Sequence, residues 1–157
     1  MRASFAQLGP GSRVLVGWAS TPEAANHPGR ADKAYIARNA VSRALTHAPT
    51  LAVSDAGALV PTFFASPGKQ IVRWRPAYRT FIGQDAPISE RALLEEALGL
   101  PSVHAPEAAA PYWRDWTHNF DYLYLLMPKD EPNPLPQILQ AAFAGRRFSL
   151  YRIHPQP

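Results

Sequence analysis

The chain contains no cysteine, which excludes thiol catalysis, disulfides and thiolate metal sites while leaving the redox compartment open. Charge is sparse as well: 18% of the 157 residues are charged, and the net charge of +4 comes mostly from scattered arginines. No stretch approaches the roughly 18 apolar residues needed to cross a bilayer. Met1 to Pro10 lacks the apolar core of a signal peptide, so the chain as given is expected to be soluble. Glycine is not arranged to cradle phosphate. Gly9-Pro10-Gly11 precedes a strand rather than a helix, and no GxGxxG or Walker lysine motif follows. No GxSxG elbow offers a nucleophile. The histidines His27, His47, His104, His118 and His154 form no HxH, HxxxH or HExxH spacing. Neither a metal nor a cofactor is therefore expected.

What is present is an apolar fraction of 46% and 17 prolines, the prolines falling between the apolar runs, where they make rigid connections rather than disorder. The length suits one core, so residues 1–157 are expected to form a single α/β domain with 1–10 and 154–157 as loose ends. Phe120 to Met127 is the densest apolar run and is closed by Pro128. Continuous rather than alternating, it reads as a central strand covered on both faces. Further strands are expected at Arg13–Gly17, Leu51–Ser54, Gln70–Trp74 (an edge) and Phe148–Ile153. Helices are expected from Asp32 to about Thr46, from the Ser89 cap to Leu98, and from Pro134 to about Ala144. The last follows from Leu135, Ile138, Leu139, Ala142 and Phe143 at helical spacing. A short broken helix is read at 58–64, and another carrying Trp113 and Trp116. This alternation predicts a three-layer α/β sandwich with a mostly parallel, roughly five-stranded Rossmann-like sheet in the order 3-2-1-4-5.

Open α/β sheets bind ligands beyond the carboxyl ends of their strands. There the predicted topology gathers Trp18, Asp55, Gly57 and Lys129, the place to look for a ligand. Asp55 is equally explained as a helix cap. No catalytic residue is assigned. His118 with Asp121 and Asp115 forms the one local His–carboxylate group, read as a helix end with Asp121 accepting from a nearby backbone donor. Lys69, Arg73, Arg75 and Arg79 around Trp74 and Tyr78 resemble a nucleic-acid track, but charges guarding a strand edge explain them more simply. Membrane-surface contact is a third use of the same charges.

The order of features, with Gly11-Ser-Arg-Val-Leu-Val, the 47–72 segment around Val60-Pro61-Thr62-Phe63-Phe64, the 112–126 block and Leu150-Tyr151-Arg152, resembles the soluble C-terminal domain of bacterial polytopic membrane proteins related to lipid-linked-sugar glycosyltransferases. The resemblance implies a membrane portion preceding this domain and a position on the extracytoplasmic (periplasmic) side of the inner membrane. It further implies a lipid-linked sugar or glycan as ligand. The catalytic acids of such enzymes lie in loops of the membrane portion, so none is carried over here. The expected function is a non-catalytic accessory domain that positions substrate or contacts a partner. The alternatives are a freestanding small hydrolase or transferase with its site near Trp18, Asp55 and Lys129, and a nucleic-acid binder through Lys69–Arg79.

Overall fold

The computed structural model describes residues 1–19, 45, 47–61, 88–100, 112–126 and 132–154. The strands are β1 (Val14–Trp18), β2 (Ile88–Ser89), β3 (Tyr122–Leu126), β4 (Leu139–Gly145) and β5 (Phe148–Ile153), and the helices are α1 (Leu51–Ala56), α2 (Glu90–Ala97) and α3 (Trp116–Asn119). The chain opens with a 3-10 turn at Arg2–Gln7.

The strands form one mixed sheet in the order β2-β1-β3-β5-β4. β1 runs parallel to β2 and to β3, whereas β3–β5 and β4–β5 are antiparallel. This corrects the expected mostly parallel, Rossmann-like sheet of order 3-2-1-4-5. The parallel arrangement required a crossover helix between β3 and the last strand, and that helix does not form. Residues 139–145 are instead β4, joined to β5 by Arg146-Arg147 alone. A connection of two residues can only reverse the chain.

β3 lies in the middle of the sheet with all five residues buried. Its alternate side chains enter two clusters. Tyr122, Tyr124 and Leu126 join Val14, Val16, Phe5, Leu8, Ala52 and Leu150 on one face. Leu123 and Leu125 join Leu15, Leu93, Trp116, Leu139 and Tyr151 on the other. The first face is covered by the N-terminal turn and α1, the second by α2 and α3. Thus Phe5 and Leu8, expected in a loose end, are core residues. At the other terminus His154 is tied by its N–H to the Ile138 carbonyl at 2.7 Å.

Two further expectations are corrected. Leu51–Ser54 belongs to α1 rather than to a strand, entered through Pro49 in a 3-10 turn and ended by Gly57 at φ 66°, a left-handed cap that glycine adopts without steric cost. Leu59 is not helical. It bridges Arg13 in parallel and thereby seats α1 beside the start of β1. The expected helix over 32–46 (apart from Leu45) and the strand over 70–74 lie outside the described residues.

α2 begins as its sequence indicates. The Ser89 Oγ accepts from the Ala92 N–H at 3.3 Å, and Ile88 and Leu93 lie in the same apolar cluster. At its end the Leu100 and Gly99 N–H groups return to the Glu95 and Glu96 carbonyls at 2.8 and 3.1 Å, a Schellman closure. The helix approaches β1 closely because residue 17 is glycine: a Cβ there would lie 2.9 Å from Leu93 Cδ1 and 3.2 Å from the Ile88 carbonyl oxygen.

Candidate functional site

Of the residues singled out for ligand binding, Trp18 is not brought together with Asp55 and Gly57. Trp18 closes β1 at its carboxyl end and is buried in the first core cluster. Asp55 and Gly57 belong to the end of α1, and the Gly57 carbonyl accepts from the Gly11 N–H at 2.9 Å, near the amino end of β1. A five-residue strand separates the two positions, about 13 Å of extended chain. Lys129 lies outside the described residues.

Asp55 does border a depression. With Arg2, Phe5, Leu8, Pro10 and Gly57 it lines a shallow, open hollow of about 600 Å³. Its carboxylate meets Arg2 Nε at 3.1 Å and accepts from Ser54 Oγ at 3.0 Å. The hollow thus holds one solvent-facing ion pair over an apolar floor. The carboxylate is shared between the Arg2 guanidinium and the exposed Ser54 hydroxyl, both open to solvent.

The histidine cluster resolves into two separate structural pairs. His118 Nδ1 lies 2.7 Å from Asp115 Oδ1 and 3.2 Å from Thr117 Oγ1, with both partners of the ion pair more than half exposed. Asp115 is the one described non-glycine residue at positive φ, 55°, a conformation costing about 1–2 kcal/mol. Its backbone explains why the strain is tolerated. The Asp115 N–H donates to Glu96 Oε1 at 3.0 Å, and its carbonyl accepts from the His118 and Asn119 N–H groups. Asp115 therefore joins α3 to α2. The imidazole is oriented, but it faces solvent.

Asp121 pairs with Arg13 rather than with His118. Its Oδ2 accepts the Arg13 backbone N–H at 2.7 Å, and its Oδ1 meets the guanidinium at 2.9 Å. In return the Arg13 carbonyl accepts from the Asp121 N–H at 2.8 Å. These bonds fix the register of β1 on β3 one residue before each strand begins. Burial pushes the Asp121 carboxyl up, but the side-chain bond, backbone bond and charge of Arg13 outweigh it and hold the group below its ordinary value. The expectation that Asp121 accepts from a backbone donor is met at Arg13.

Sequence reasoning missed the polar contacts of the tyrosines on β3. Tyr124 OH meets Ser4 Oγ at 2.5 Å, and Tyr122 OH donates to the Gln7 carbonyl at 2.8 Å. The available signal was the pair of hydroxyls within a buried apolar run, since a buried tyrosine normally finds a partner. Among the described residues no group of three His, Asp or Glu side chains is placed to hold a metal ion, and no helix is long and apolar enough to cross a membrane. Comparison with protein-family models, curated proteins and solved structures finds no match.

Proposed function

We propose that this chain is a non-catalytic accessory domain of a membrane-embedded protein of the glycosyltransferase type, lying on the extracytoplasmic side. There it positions a lipid-linked sugar or glycan, or contacts the membrane portion of the same parent. One observation carries the non-catalytic part of this reading: among the described residues, the long-range polar contacts singled out above join structural elements to each other. Arg13–Asp121 joins β1 to β3, Ser4–Tyr124 joins the N-terminal turn to the sheet, and Trp116 Nε1 donates to the Leu93 carbonyl between helices at 2.9 Å. Catalytic groups would instead converge on a cavity with a free acid, base or nucleophile. The membrane and sugar parts rest on the sequence resemblance alone.

The reading frame upstream of Met1 tests the parentage. Several apolar segments of about 20 residues support it, and a frame that opens without any overturns it. Incubating the isolated chain with a polyprenyl-phosphate sugar and water or an acceptor tests the absence of chemistry. No turnover is expected. Turnover abolished by His118→Ala would instead establish an enzyme.

A further inference from the structure

The N-terminal turn is held at both of its ends. Ser4 is fully buried, and its hydroxyl carries a single proton. That proton goes to the Met1 carbonyl oxygen at 2.6 Å, which can only accept. The contact between Ser4 and Tyr124 is therefore donated by the tyrosine, giving a directed chain from Tyr124 through Ser4 to Met1. At the other end Tyr122 OH donates to the Gln7 carbonyl at 2.8 Å and accepts from an Arg152 guanidinium nitrogen at 3.0 Å. Tyr122 and Tyr124 are two residues apart on one face of the central strand. Between these ties Phe5 stands edge-on to Tyr124, with centroids 6.5 Å apart and planes at 90°. Arg2 pairs with Asp55 on α1. A chain end without such ties frays.

We infer that Met1–Leu8 is a rigid mount. Any polypeptide joined before Met1 would leave the domain from a turn fixed on the face of β3. The identity of that polypeptide as membrane-embedded rests on the reading above; the mount itself rests on the contacts. In such a parent the mount sets the orientation of the domain toward the bilayer, which a flexible linker could not do.

The absence of native cysteine allows clean spin labelling. Ala3 and Ala144 are exposed, and nitroxides at Ala3→Cys and Ala144→Cys report the distance from the turn to β4. In the isolated chain a single narrow distribution is expected, broadening in the Ser4→Ala/Tyr124→Phe double variant while the far-ultraviolet circular dichroism stays unchanged. In the full reading frame the first label moves to the residue before Met1, and a narrow distribution is again expected. A broad distribution in either wild-type measurement overturns the mount. A narrow one that the double variant leaves untouched overturns the role of the hydroxyl chain. If the upstream frame encodes no membrane helices, the accessory-domain reading fails while the distances still decide the mount.

Discussion

β1 and β3 are buried along their whole length, whereas β4, at the far edge of the same sheet, leaves Gln140, Ala141 and Ala144 exposed. The inner pair is apolar on both faces and is registered from outside by Arg13 and Asp121. The β4–β5 hairpin is registered by aromatic packing. Phe143 and Phe148 stack at 5.8 Å with planes 4° apart, and Phe148 lies 5.6 Å from Tyr124. One half of the sheet is thus specified by continuous burial, the other by a few large side chains beside a tight turn. Substitutions should separate the two.

The largest separation is expected between Leu125→Ala and Ala144→Ser. Leu125 is 2% exposed in the second core cluster, so truncation should cost about 2–5 kcal/mol in denaturant unfolding. Exposed Ala144 should tolerate serine within about 0.5 kcal/mol. Similar costs at the two positions would break the comparison. Gly17→Ala comes next. Its methyl group would press on Leu93 and on the Ile88 carbonyl, and overpacking of this kind costs about 1–3 kcal/mol. A neutral result would show that α2 can lift from β1 freely.

The same contrast explains which parts of the fold the sequence displays. A strand buried on both faces is a continuous apolar run, so Phe120–Met127 and Arg13–Gly17 identify β3 and β1 to within a residue or two. The cap at Ser89 and stop at Gly99 identify α2, because capping chemistry is local. β4 was concealed by its bulge. Ala141 pairs with Tyr151 and Phe143 with Leu150, leaving Ala142 as the extra residue. Leu139 therefore faces one core cluster and Phe143 the other. Their spacing of four mimics a single helical face, although the two side chains point to opposite sides of a strand. Asn133 reinforces the illusion: its Oδ1 accepts from the Leu135 N–H at 3.1 Å, as a cap would, but it closes an Asx turn. Leu51–Ser54 failed for a different reason. Three apolar residues and a serine do not distinguish strand from helix, and Pro49 and Gly57 on either side decided it. The expected meeting of Trp18 with Asp55 and Gly57 depended on the mostly parallel topology. Asp55 was placed at a carboxyl strand end only because its segment was read as a strand. The tyrosine ties to Ser4 and Gln7 span more than a hundred residues and have no local signature.

Tyr124→Phe sharpens the comparison from inside the buried half. Burial raises the Tyr124 phenol to about 12. A group whose folded pKa lies above its unfolded value supplies stability that is complete below about pH 10 and is lost as pH rises toward the folded value. The wild type should therefore lose stability between pH 10 and about 12, and Tyr124→Phe should remove part of that slope. At neutral pH the variant should cost about 1 kcal/mol for the lost hydrogen bond. An unchanged alkaline limb would mean that Tyr124 is not the group that titrates there.

Asp121→Asn should have a smaller effect than Tyr124→Phe, and its pH dependence is opposite in sign. The carboxyl is held below its ordinary value, so its contribution is present above the unfolded carboxylate pKa and is lost as pH falls through the folded one. Asparagine keeps an oxygen for the Arg13 backbone N–H but removes the charge from the guanidinium contact. Both side chains are more than a third exposed, and solvent screening limits such a pair to under about 1 kcal/mol. The variant should therefore flatten the acid limb, move the neutral-pH midpoint little and lose its difference from wild type in high salt. A cost at neutral pH as large as that of Leu125→Ala would mean that the parallel half is held by this polar clamp more than by its apolar faces, reversing the contrast between the two halves of the sheet.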